Sequence, residues 1–163
     1  MARHGRTRLP RRSTAAVALL AALVALVALV GQARAASRGS GYFETPSRNI
    51  SCFYEYGVHI GEPLIECGIR SGLVPAPPRT GAACKELDYV GNRLSLLATG
   101  RTRPVACAGD AGPFAAPGTT RVLAYGSAWR GGGFSCSSER TGLTCRNAAG
   151  HGFFLSRQAW RGF

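Results

Sequence analysis

Six cysteines, Cys52, Cys67, Cys84, Cys107, Cys136 and Cys145, constrain this chain more than any other feature, because all of them follow an export-like leader. The first dozen residues hold Arg3, Arg6, Arg8, Arg11 and Arg12 with no acid, and the apolar run from Ala15 to Val30 follows. Small residues at Ala33 and Ala35 complete the pattern that a signal peptidase reads, so residues 1–35 are expected to be a signal peptide. The alternative is an uncleaved leader: the uncharged stretch from Ser13 to Ala33 is long enough to span a bilayer as an anchoring helix. In either case the cysteines face an oxidising space. An even set in that setting reads as three disulfides.

Zinc is a poor reading, since there is no C-x-x-C and only His59 and His151 follow the leader. Neither a metal nor a cofactor is expected. Local periodicity narrows the disulfide connectivity. Side chains two apart in a strand share a face, which puts Cys52 with Ile50, Cys67 with Ile65 and Ile69, Cys136 with Phe134, and Cys145 with Leu143. Each cysteine therefore points with the apolar side of its strand. Pairing Cys136 with Cys145 closes a hairpin around "ERTG", and Cys52 with Cys67 closes a longer one through "EYGVHIGEP". Cys84 with Cys107 follows by elimination, although the turn suggested by "ATGRTRP" sets Cys107 nearer Leu94 than Cys84.

Strands are expected near 49–54, 64–70, 94–99, 104–107, 121–125, 133–137, 143–146 and 152–155. The connectors "SGLVPAPPRTG" and "AGDAGPFAAPGTT" are too rich in proline and glycine for helix or interior strand. Short helices are expected only at "ACKELDY" and "SRQAW". The fold expectation is all-β, a small disulfide-stapled sandwich or barrel of about eight short strands. Residues 36–41 read as a linker and residues 42–163 as one domain, since a chain of this length supports one core.

At "FETPSRNISC", at Gly109 and Asp110, at "YGSAWRGGGFSC" and at "GLTCRNAAGHGFFLSRQAW", the sequence resembles a family of small exported actinobacterial proteins with no established activity. The resemblance runs from about Phe43 onward and implies an exported, cysteine-paired domain. It supplies no catalytic residues. Where that family usually has a glycine in the first turn, this chain has Arg48, which weighs against a tight turn there.

Beyond the leader the chain holds 14 basic and 8 acidic side chains, and Lys85 is its one lysine. Arginine forks onto carboxylates and phosphates and stacks on aromatic rings, whereas a genome rich in G and C also favours its codons. Arg121, Arg130, Arg146, Arg157 and Arg161 crowd the last third beside Tyr125, Trp129, Phe153, Phe154 and Trp160. Arg130, Arg146, Arg157, Trp129 and Trp160 are the candidate binding residues if they share a face, with an anionic cell-surface polymer as the expected partner. Nucleic acid is not expected, and a membrane enters only through an uncleaved leader. Oligomeric state is left open.

His151, between Gly150 and Gly152 at the entrance to an apolar strand, is the candidate general acid or base, with Glu66, Asp110, Arg146 and Arg157 as possible partners. A lone histidine at a turn more often satisfies a nearby backbone group. There is no G-x-S-x-G and no phosphate loop. The expectation is a secreted or envelope-associated binding module rather than an enzyme. The alternatives are a small extracellular hydrolase built on His151 and a protease inhibitor presenting the loop "VPAPPRT".

Overall fold

A computed structural model describes residues 39–56, 61–114 and 120–163. The leader and His59 lie outside the described residues. The described residues are all-β, with eleven strands in two sheets and one short helix among them. No helix among the described residues is long and apolar enough to cross a membrane.

Sheet A comprises β1 (Ser40–Glu44), β2 (Ile50–Glu55), β3 (Leu64–Ile69), β4 (Asp88–Leu97), β5 (Arg103–Ala108) and β6 (Arg121–Val122), in the order β5-β4-β3-β2-β1-β6. Sheet B comprises β7 (Ser127–Gly131), β8 (Phe134–Glu139), β9 (Gly142–Asn147), β10 (Gly152–Leu155) and β11 (Trp160–Gly162), in the order β11-β10-β9-β8-β7. Every pairing is antiparallel except β1 with β6. Neighbours in sequence are thus mostly neighbours in the sheet, as short glycine-bearing turns allow.

Alternation does the sorting. Ile65, Cys67 and Ile69 on β3, Leu94 and Leu96 on β4, Phe134 and Cys136 on β8, Leu143 and Cys145 on β9, and Phe153 and Leu155 on β10 all point between the sheets into one core. Two of the three disulfides belong to that core. Cys52 faces Cys67 and Cys136 faces Cys145 directly across their ladders, each with Cα atoms 4.1 Å apart. That separation is close to the ~4.5 Å of a non-hydrogen-bonded antiparallel pair, so each bridge forms where the register already puts two inward side chains together.

The third disulfide joins Cys84 to Cys107. The sequence suggests that the turn near Thr99 brings Cys107 close to Leu94, but the turn sets Leu94 against Pro104, and Cys107 lies further along the ladder. β4, however, starts as far back as Asp88, and after a bulge between Tyr89 and Arg93 it places Tyr89 opposite Cys107. Helix α1 (Ala83–Glu86) ends just before it, which brings Cys84 within reach.

Four expectations are corrected. Ser40 and Gly41, assigned above to a linker, are the first residues of β1, with Gly41 packed under the Tyr54 ring. The expected strand from Arg121 to Tyr125 is only two residues long, because Tyr125 and Gly126 turn the chain into β7. "SRQAW" is not helical: the Ser156 hydroxyl accepts from the amides of Gln158 and Ala159, turning the chain into β11. Finally, Arg48 does occupy a tight turn, at φ 57°. Its amide donates to the Thr45 carbonyl at 2.8 Å, its own carbonyl accepts from Arg70 Nε at 3.0 Å, and its guanidinium lies 3.5 Å from Glu44. These bonds hold a left-handed conformation that a residue with a Cβ rarely adopts.

Candidate functional site: an arginine face on the second sheet

Because Phe134, Cys136, Leu143, Cys145, Phe153 and Leu155 take the inner face of sheet B, the residues between them take the outer one. Arg130 on β7 stands opposite Ser135 on β8, and Ser135 stands opposite Arg146 on β9. One row along, Phe154 on β10 stands opposite Arg161 on β11. Arg130, Arg146 and Arg161 are all exposed. Among the described residues, none of the three makes an ion pair.

Aromatic rings cover two glycines of this sheet. The Phe163 ring lies over Gly152 and the Phe154 ring over Gly142, so closely that a Cβ on either glycine would stand 2.7–2.8 Å from the ring above it. On those rings rest two of the arginines, Arg146 with its guanidinium carbon 4.3 Å from the centre of Phe163, and Arg161 at 5.1 Å from Phe154. An arginine stacked on a ring is held in place while its N–H edge stays free to donate. Since strands in a sheet lie about 4.8 Å apart, Arg130 and Arg146, with β8 between them, are rooted about 10 Å apart.

The two tryptophans named from sequence are not on this face. Trp129 points inward, with its ring centre 5.1 Å from Phe43 and 4.7 Å from Tyr54, and it closes the edge of the core between the sheets. Trp160 packs against the core and donates its indole N–H to the Pro75 carbonyl at 2.8 Å. Arg157 is also elsewhere, on the β10–β11 turn beside a cleft at the other end of the sheet. Arg161 replaces it in the cluster, and Phe154 and Phe163 replace the tryptophans. Strict alternation outward from Cys145 and Phe153 already assigns Arg146 and Phe154 to the outer side. Phe163, after the last strand, carries no such signal.

His151 is held by its backbone. Its amide donates to Asn147 Oδ1 at 2.9 Å and its carbonyl accepts from the Asn147 amide at 2.8 Å. Asn147 is buried and donates through Nδ2 to the carbonyls of Leu97 and Gly100, tying the β9–β10 turn to sheet A. The imidazole itself makes no hydrogen bond among the described residues. Two of its sequence-proposed partners are committed on sheet A, around the buried Arg93. Arg93 Nη1 lies 2.5 Å from Asp110 Oδ1 and 3.4 Å from Glu66 Oε1, and Nη2 donates to the Asp110 carbonyl. Burial pushes the Glu66 carboxyl above the usual carboxylate range, an effect opposed by the charge of Arg93 and reinforced by that of Asp110. The loop carrying Asp110 then covers the sheet, with the Phe114 ring over Gly68 and the Pro113 carbonyl accepting from the Ser51 hydroxyl at 2.7 Å. Glu66, Arg93 and Asp110 thus fasten a loop.

The chain matches a family of unknown function, DUF6636, over residues 18–162. It belongs to that family. The DUF6636 match takes in every strand of both sheets, including the arginine face up to Gly162. Nothing among curated proteins or among solved structures matches the chain.

Proposed function

We propose that the protein is a binding module for an anionic polymer at the cell exterior, with the outer face of sheet B as its contact surface. The observation that carries this reading is the placement of Arg130, Arg146 and Arg161 on one face, unpaired with any carboxylate among the described residues, two of them propped on aromatic rings. Guanidiniums rooted about 10 Å apart suit a chain of repeated phosphate or carboxylate groups better than one compact anion. Ser135 lies between Arg130 and Arg146, and Ser137 and Thr144 lie in the row of Arg161 on the same face; all three add hydroxyl donors. Three disulfides suit the oxidising space in which such polymers are found. The export leader and the absence of catalysis belong to the same proposal.

The test is retention of the folded domain on polyphosphate and on hyaluronate, each immobilised, against neutral dextran. Retention on the anionic matrices and release by salt support the proposal; equal behaviour on all three removes it. The inhibitor alternative finds less support. The Thr80 amide donates to the Pro78 carbonyl at 2.9 Å and folds the backbone back at Arg79, whereas a peptide pairing with a protease cleft is extended.

A further inference from the structure

At the end of sheet B that carries the β8–β9 hairpin, an open cleft of about 660 Å³ lies between four connections: β1–β2, the Tyr125 turn, β8–β9 and β10–β11. A volume of this size falls in the range that encloses a small organic ligand. Two of its wall hydroxyls are already hydrogen-bonded. The Thr45 hydroxyl is bonded to the Ile50 carbonyl and to Ser47, and the Ser156 hydroxyl takes three backbone bonds of its own turn.

What remains free in the cleft is chemically specific. Arg140 lies in the two-residue loop between β8 and β9, with its guanidinium carbon 5.3 Å from the centre of the Tyr125 ring. Arg157 projects from the serine-fastened turn. Glu139 lines the same space, and no ion pair joins it to either arginine. Thr141 and Gln158 add a hydroxyl and an amide that make no other side-chain hydrogen bond among the described residues. Two forked donors, one carboxylate acceptor and two neutral polar groups therefore line one cleft. A bare anion would satisfy the arginines and be repelled by Glu139, while a neutral sugar would leave both guanidiniums idle.

We infer that this cleft binds a hexose carrying one anionic group, a uronic acid or a sugar phosphate. The anion sits on Arg140 and Arg157, and ring hydroxyls donate to Glu139 and bond to Thr141 and Gln158. This is a second site, at the opposite end of sheet B from the Arg130–Ser135–Arg146 row, and it does not depend on the polymer reading.

Calorimetric titration of the folded domain with glucuronic acid, glucose 6-phosphate, glucose and inorganic phosphate tests it. The expected result is saturable one-to-one binding of at least one of the two acidic sugars, at least tenfold tighter than glucose or phosphate. Comparing glucuronic acid with glucose 6-phosphate then assigns the anion. Arg157→Gln and Glu139→Gln should each weaken that binding about tenfold, whereas Arg130→Gln, on the polymer face, should leave it unchanged. No binding of either acidic sugar, equal binding of inorganic phosphate or of glucose, or insensitivity to Arg157→Gln would overturn the inference. Polymer retention by the Arg157→Gln protein separates failure here from failure of the polymer reading.

Discussion

The guanidinium of Arg146 rests 4.3 Å above the centre of the Phe163 ring, and that ring in turn covers Gly152. Phe163 is thereby built into the arginine face, through a glycine that leaves room for it. A methyl group at Gly152 would run into the Cys145 carbonyl oxygen as well as the ring. Gly152→Ala should therefore destabilise the domain by about 1–3 kcal/mol in denaturant unfolding, in the range of steric insertions into packed sites. Phe163→Leu should cost less than about 1 kcal/mol of stability but weaken polymer retention, because Arg146 loses its platform.

Arg48 gives a prediction of the opposite sign. Its φ of 57° costs a residue with a Cβ about 1 kcal/mol or more, and the exposed ion pair with Glu44 returns little of that. Arg48→Gly should raise stability by about 0.5–1 kcal/mol, measured by urea unfolding. A loss would mean that the Glu44 contact outweighs the backbone strain.

His151 and Asn147 separate a chemical role from a structural one. Since only the backbone of His151 is engaged, His151→Ala should change stability by no more than about 0.5 kcal/mol. Asn147→Ala should cost about 2–3 kcal/mol, because it leaves the Leu97 and Gly100 carbonyls without their donor and frees the turn from sheet A. Thermal unfolding of the two variants side by side checks the contrast.

The Glu66 carboxyl, raised by burial, links stability to pH. The folded state holds the Glu66 proton more tightly than the unfolded chain does, so this group's contribution is fully present below the ordinary value of 4.5. It is lost as pH rises through the raised folded value. Glu66→Gln removes the ionisation, so it should flatten that stretch of the stability–pH curve and make the domain more stable than wild type at neutral pH. Asp110→Asn should act the other way, costing about 1–2 kcal/mol near neutrality by depriving buried Arg93 of its closest carboxylate.

The fold was legible wherever a two-residue period met a cysteine. Ile50 with Cys52 and Leu143 with Cys145 fix which side of each strand is inward, and the hairpin registers follow from that. β7 and β11 were hidden for physical reasons. The three glycines of "WRGGGF" have the composition of a loop although only Gly132 and Gly133 turn, and "SRQAW" has helical composition but is diverted by the Ser156 hydroxyl. The arginine cluster was half legible. Alternation puts Arg146 outside, but an apolar strand flank does not reveal that Trp129 and Trp160 serve the core, nor that Phe154 and Phe163 lie over glycines. The buried arginine could not be found from sequence either, since Arg93 looks like a solvated strand residue until the Asp110 loop closes over it.

Whether sheet B holds the polymer is read from the salt dependence of polyphosphate binding by the wild-type domain and by a variant with Arg130, Arg146 and Arg161 all changed to Gln. Counterion release makes the logarithm of the binding constant fall linearly with the logarithm of salt concentration, by somewhat less than about one unit of slope for each phosphate contact. A wild-type slope steeper than that of the triple variant by about 2–3 units, with both proteins equally folded, is the predicted result. Equal slopes would show that the polymer is held elsewhere and contradict the assignment of sheet B as the binding face.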